Sequence, residues 1–312
     1  MNNPEPSIRV NVDPTNPGQF FACCGLLELA DRLWPGAEGW FEETKTSFHV
    51  SSPQGSGGFA ELIERLSDVG LIGELSPELA QERRQLEDAK RQLKRHNKAL
   101  PKTQERRRKE LGSLLREGAI AIGDPFTLRL DWWQDDDESN PKTWAGSQQV
   151  LRIAKAALLH TLQAFTNDRP FDYKCVMRPV LDRAEDERPP KGKRRAKPKD
   201  DKAEPFYFDS RHGANALPLD IGFSPNELGM ESKAFPAVEL LCLIGLQRCR
   251  PNPTDTPLVF EYFLWSNPLP VSVIPAALCG LLGQRVGYRF ENAYRTDQRK
   301  HKGYLPAVPF TR

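Results

Sequence analysis

The chain has 312 residues, 38% hydrophobic and 28% charged, and its 44 Lys and Arg against 42 Asp and Glu give a formal net charge of +2. This length suits one large domain or two ordinary ones, and the composition excludes disorder throughout. No apolar run of about 18 residues exists and the N-terminus carries no basic segment followed by an apolar one, so neither a membrane span nor a secretory signal is expected and a cytoplasmic location is the default. Six cysteines without a CxxC spacing are read as reduced thiols, with no disulfides.

The segment SIRVNVD (7–13) alternates, with Ile8, Val10 and Val12 on one face, and predicts a strand. Asn16-Pro17 then starts a helix from about Gly18 to Leu33. Its apolar residues, Phe20, Phe21, Cys24, Leu26, Leu27, Leu29 and Leu33, cover most of the circumference, as in a helix wedged between other elements. Cys23 and Cys24 lie about 100° apart on it, with no basic residue within a turn and no second ligand at metal spacing. They are read as small hydrophobes. GWFEE and SFHVSS predict a hairpin, and GFAELIERLSDVG a short amphipathic helix closed by Gly70.

Positive charge is concentrated after this helix. Between Arg83 and Arg116 there are thirteen Lys and Arg against four Asp and Glu, although the whole chain sums to only +2. After the start signal Ser76-Pro77-Glu78, leucines recur at Leu79, Leu86, Leu93 and Leu100; Pro101 breaks the helix, and KTQERRRKELGSLLREG begins a second. A basic helical hairpin over about 76–117 is expected. One leucine per heptad is half of what a two-stranded seam needs, so the packing between its arms should be thin. Arg84, Arg91 and Lys98 fall on the face away from the leucines, while Arg106, Arg107, Arg108 and Lys109 crowd the second arm. Such a surface suits a phosphate backbone through counterion release; a solvated arm whose charge only maintains solubility is the alternative.

PFTLRLDWW (125–133) predicts a strand and SQQVLRIAKAALLHTLQAF (147–165) a helix. DRAEDERPPKGKRRAKPKDDKAEP (182–205) has no apolar residue beyond alanine and should be a disordered loop or linker, whose Lys193, Arg194 and Arg195 could touch nucleic acid without sequence preference; an uninvolved flexible insertion is an equal alternative. FYFD (206–209) should begin a strand. PAVELLCLIGLQRC (236–249) predicts a nearly all-apolar helix, LVFEYFLW a buried strand, VSVIPAALCGLL a short helix interrupted by Pro275, and RVGYRFE a last strand. The class is α+β, mixed sheets packed with helices and no parallel βαβ rhythm. Its expected organisation is an N-terminal α+β segment (1–75), the inserted hairpin (76–117), a continuation of the core (118–181), the disordered loop (182–205) and a C-terminal α+β part (206–312).

Phosphate-loop, dinucleotide, HExxH and GxSxG motifs are absent, and the five histidines are isolated. The acids of DWWQDDDESN (131–140) could hold a divalent cation, but consecutive acids point in different directions and a solvated turn fits them better. In FYFDSRHGANALPLDIGFSPNELGM, Arg211 and His212 beside Asp209 offer a phosphate clamp or a general base, although such a turn more often ties down a loop by hydrogen bonds; contact with phosphate or another subunit ranks above catalysis.

Four stretches carry a family resemblance: VDPTNPGQFFACCGLLELADRLWPGAEGWF, FDSRHGANALPLDIGFSPNELG, PAVELLCLIGLQRCRP and FLWSNPLPVSVIPAALCG. Together the chain resembles a CRISPR-associated protein of the type I-U, or I-G, systems, a divergent large-subunit-like component of the interference complex. The resemblance implies a binding role without chemistry, cofactor or metal. The implied partners are the guide RNA, the target DNA, the other subunits of the complex and the helicase-nuclease it recruits. In such complexes base pairing supplies sequence specificity, and protein reads backbone and a short flanking motif. The hairpin residues Arg84, Arg91, Arg95, Lys98, Arg107 and Arg108 would then track phosphates, and Gln148, Gln149, Asn215 or Arg211 have side chains suited to base edges. Two other readings stand beside it: a metal-dependent nuclease using Asp131, Asp135, Asp136 and His212, and a general RNA-binding scaffold.

Overall fold

The structure, a computed structural model, describes residues 3–53, 57–75, 77–96, 98–116, 118–135, 140–144, 148–164, 169–178, 203–211, 231–295 and 301–312. In chain order its elements are β1 (Ile8–Asn11), α1 (Pro17–Leu33), β2 (Glu38–Phe41), β3 (Ser47–Ser51), α2 (Phe59–Val69), β4 (Ile72–Gly73), α3 (Pro77–Arg95), α4 (Lys102–Arg116), β5 (Ile120–Ile122) and β6 (Leu128–Leu130). After these come α5 (Val150–Gln163), α6 (Pro236–Gly245), β7 (Asn252–Pro253), β8 (Val259–Phe263), β9 (Leu269–Pro270), α7 (Ile274–Leu278), β10 (Val286–Tyr294), β11 (Lys302–Tyr304) and β12 (Val308–Thr311). The α+β class holds.

Every named strand pairing is antiparallel. One sheet runs β1-β3-β2-β9, another β11-β10-β8-β7 with β12 also on β10, and a small one β4-β5-β6. The alternation of the first strand has its expected outcome, since Ile8, Val10 and Val12 are all buried. Pro17 at the first turn and Asn16 as N-cap open α1, the Asn16 carboxamide oxygen accepting from the Gln19 N–H at 3.4 Å.

Helix α1 is the centre of the molecule, and it is buried on all sides from Pro17 to Ala30. Its Phe20 stacks on Phe41 of the first sheet, with ring centroids 5.6 Å apart, and on Tyr262 of the second at 4.3 Å. Its other neighbour is α6. There Gly25 and Gly245 let the two backbones touch: a Cβ on Gly25 would sit 1.9 Å from the Leu241 carbonyl oxygen, and one on Gly245 2.1 Å from that of Phe21. Glu28 closes the same junction, accepting from Arg32 at 2.7 Å and from Arg248 at 2.5 Å. Burial alone would raise the Glu28 pKa, yet the hydrogen bonds from Arg248 and Arg32 hold it below the usual value.

Cys23 and Cys24 are buried within this core, and all six cysteines are free. Burial pushes both thiols well up, consistent with packing elements. Sequence spacing missed one partner: Cys24 meets the thiol of Cys249, just beyond α6.

Several expected elements differ. The sequence 206–209 is no strand; Tyr207 has φ +65°, and the N–H groups of Phe208 and Asp209 donate to the Glu239 carboxyl rather than to a neighbouring strand. Pro275 does not interrupt a helix but occupies its first turn, where a missing N–H costs nothing, after a 3-10 turn over Val271–Val273. Trp132–Gln134 is a 3-10 turn instead of strand. The strand over Val286–Tyr294 is not the last, because β11 and β12 fold back onto it. The expected loop at 182–205 lies outside the described residues up to 202. Its final three residues are core-bound: Ala203 and Pro205 are buried, and the Ala203 N–H donates to Met177 O at 3.0 Å.

Candidate nucleic-acid interface

The basic segment folds as an antiparallel pair, α3 and α4, joined by residues 96–101. Helix α3 ends at Arg95, five residues short of Leu100, so the fourth leucine of the heptad series is off the helix. The apolar seam is as thin as the spacing predicted. Leu79, Leu86 and Leu93 are half-buried, Leu114 is exposed, and Leu111 is fully buried near the base of the hairpin.

Ion pairs take up the seam instead. Arg107 meets Glu82 through two hydrogen bonds of 2.8 and 2.9 Å, and Arg108 bridges Glu87 at 3.0 Å and Glu105 at 2.8 Å. Lys90 approaches Glu105 at 3.9 Å, and Arg106 binds Glu110 at 3.2 Å. Hydrogen bonding from Arg107 holds the Glu82 carboxyl below its usual value, and that from Arg108 does the same for Glu105. Two residues that looked like phosphate ligands, Arg107 and Arg108, thus cross-link the arms. The signal was present in the sequence: Glu82 and Glu87 face the RRR cluster once the arms are set antiparallel.

With Glu82, Glu87, Glu105 and Glu110 matched in this way, the hairpin retains an excess of cations. Lys94, Arg95, Lys98, Lys102 and Lys109 are exposed and make no ion pair among the described residues. All but Lys109 gather at the turn end of the hairpin. Arg91 is exposed and approaches only Asp88, at 3.9 Å, and Arg84 is exposed with its Nε donating to the Ala80 carbonyl. At the inner side of α3, a cleft of about 380 Å³ opens between the hairpin and the body. Arg83, Arg84 and Arg91 line it on the hairpin side together with the acids Glu87 and Asp88, and Gly73, Leu75 and Leu151 on the other.

The other site residues are placed differently. Arg211 is enclosed by acceptors: Asp209 at 2.7 and 2.9 Å, Asp172 at 3.0 Å and the Phe171 carbonyl at 2.7 Å, with its guanidinium 3.7 Å from the Phe235 ring centroid. This geometry ties down a loop and leaves little of the cation for phosphate. Gln148 is half-buried and Gln149 precedes α5, exposed. Lys193, Arg194, Arg195, Asn215, His212 and Asp136 lie outside the described residues. Of the remaining acids, Asp131 pairs with Arg129 and accepts from Gln247, and Asp135 pairs with Arg250 at 2.6 Å. Among the described residues, no three His, Cys, Asp or Glu side chains are grouped to hold a metal ion, and no helix is long and apolar enough to cross a membrane.

Sequence reading missed a buried polar network behind Arg211. The Asn16 amide donates to Asp209 at 2.8 Å, joining the start of α1 to the 206–211 segment, and Glu239 of α6 lies beneath both. Burial, and then the charge of Asp209, raise the Glu239 pKa to about 8. The folded chain therefore keeps a proton that the unfolded chain releases above about pH 4.5, and this group's contribution to stability is lost as pH rises from there toward 8. Glu239→Gln should remove that decline and give a protein more stable at pH 8 by up to a few kcal/mol. Urea denaturation at pH 6 and 8 checks it; identical pH dependence in both proteins would refute the assignment.

No protein-family model, curated protein or solved structure matches the chain.

Proposed function

We propose that this chain is a non-catalytic subunit of a type I-U CRISPR ribonucleoprotein effector, gripping the backbones of guide RNA and target DNA within a multisubunit assembly. The family reading rests on the four resembling stretches. Nucleic-acid contact is supported by the turn end of the hairpin: Lys94, Arg95, Lys98 and Lys102, exposed on a scaffold whose acids Glu82, Glu87 and Glu105 are already paired with other cations. Cations held together without counter-charge bind a polyanion by releasing its condensed ions. Phosphate contact of this kind positions a strand and reads no sequence, which suits a complex in which base pairing does the reading. Metal-dependent cleavage has no comparable support, since Asp131 and Asp135 each face an arginine.

The test is purification of the full chain from its native host through a tag. Repeat-derived RNA and further effector subunits should co-purify. A preparation carrying neither, from cells expressing the complex, refutes the CRISPR reading; bound RNA of unrelated sequence would favour the general scaffold.

A further inference from the structure

A second group of cations lies away from the hairpin, where β10 and β11 meet the segment 141–144. The Lys302 N–H donates to Thr143 O at 2.7 Å, the Asn292 amide donates to Lys142 O at 3.1 Å, and the Tyr304 hydroxyl to Pro141 O at 2.9 Å. These bonds, one main-chain and two from side chains, set Lys142 beside Lys302. Both side chains are half-buried, each over an aromatic ring: Lys142 Nζ is 5.6 Å from the Trp144 centroid and Lys302 Nζ 5.9 Å from that of Tyr294. Arg295 adjoins them, its Nε donating to Lys302 O and its guanidinium 3.4 Å from the Tyr207 ring.

Among the described residues neither lysine has a carboxylate partner. Burial, followed by the charge of Lys142, lowers the Lys302 pKa, so the two ammonium groups interact as like charges. Cation–π contact offsets part of that cost and does not cancel the repulsion. Beside them two hydrogen-bond donors, the Thr143 hydroxyl and the Trp144 indole N–H, are buried without a partner, on residues at most 3% exposed. Unmatched buried polar atoms are uncommon in folded proteins and mark places where a partner is missing.

We propose that Lys142 and Lys302, with Arg295 beside them, form a binding site for the dianion of a phosphate monoester. Two unpaired ammonium groups call for two negative charges. A terminal phosphate supplies them on one centre with three acceptor oxygens, whereas a carboxylate supplies one charge and a backbone phosphodiester one. The terminus of a nucleic acid and a small phosphorylated molecule share this chemistry. The site does not depend on the CRISPR reading, because the residues and their placement are separate from the hairpin.

The experiment measures thermal unfolding of the full chain at pH 7.5 in sodium phosphate and in sodium chloride of equal ionic strength. The wild type should gain several degrees in phosphate. Lys302→Gln should melt higher than the wild type in chloride, since the repulsion is removed, and should bind phosphate at least tenfold more weakly. Lys142→Gln repeats the measurement should the first variant fail to fold. Equal melting of the wild type in both salts, or variants that keep the full phosphate shift, overturns the proposal. A 5′-phosphorylated oligonucleotide compared with its 5′-hydroxyl form separates the sources: a lysine-dependent preference for the former assigns a nucleic-acid end, and a phosphate shift without that preference a small phosphorylated ligand.

Discussion

Replacing Lys94, Arg95, Lys98 and Lys102 together by glutamine is expected to weaken nucleic-acid binding by the full chain and to flatten its salt dependence. Each phosphate contact contributes roughly 0.7–0.9 to the slope of log affinity against log salt, so four contacts amount to about three. Between 50 and 200 mM salt the wild type should then lose about sixtyfold more affinity than the variant. The four residues are exposed and carry no ion pair among the described residues, so their removal leaves the hairpin's own contacts intact. The adjacent pair is the control. Arg107→Gln and Arg108→Gln would strand Glu82 and Glu87, loosening the seam and adding local negative charge, with a smaller change in slope. An unchanged slope in the fourfold variant, measured by filter binding over that salt range, would place the turn end against solvent or protein instead of nucleic acid.

Gly25→Ala should be among the most damaging single substitutions in the chain. Ordinarily, alanine in place of a helical glycine adds about 0.5–1 kcal/mol of helix stability. Here the added methyl would stand 1.9 Å from Leu241 O and 2.9 Å from the Gly245 N, backbone atoms of α6 that no rotamer change can move. The helices must separate. That opens the core around Phe21, Leu241 and Cys24, and a cost of about 3 kcal/mol or more is expected. Gly112→Ala in α4 is the contrasting case, since nothing lies within 4 Å of the added carbon, and should stabilise by about 0.5–1 kcal/mol. Denaturant midpoints of the two variants should move in opposite directions; a neutral Gly25→Ala would mean that α1 and α6 do not cross as closely as described.

Much of the local structure was legible in the residues because the determining interactions are themselves local. Period-two alternation at Ile8, Val10 and Val12, Asn16-Pro17 at a helix start and Gly70 at a helix end each specify backbone geometry within a few residues. The opening order β-α-β-β-α and the hairpin arms came from such signals. The 206–209 segment failed for the complementary reason. Its aromatic alternation reads as strand, but its N–H groups meet a glutamate some thirty residues away, and the chain takes the conformation that satisfies them. The short strands β4, β7 and β9 are two residues each, too brief to carry a period.

The candidate site divides along the same line. Concentration of positive charge and the thinness of the leucine seam are properties of composition and spacing, and the sequence determined both. Which arginines are available was decided only by the antiparallel docking of α3 on α4, which sets Arg107 and Arg108 against Glu82 and Glu87 and leaves the turn end unmatched. Arg211 likewise looked like a ligand for phosphate until Asp172 and Phe171, some forty residues earlier, surrounded it. Lys142 and Lys302 carry no shared signal in the sequence, where 160 positions separate them, and a main-chain bond from Lys302 to Thr143 with a side-chain bond from Asn292 to Lys142 makes them neighbours. Sequence sets how much charge a segment bears and how it is spaced; tertiary structure decides which charges are neutralised, because ion pairing depends on distances of a few ångströms between residues far apart in the chain.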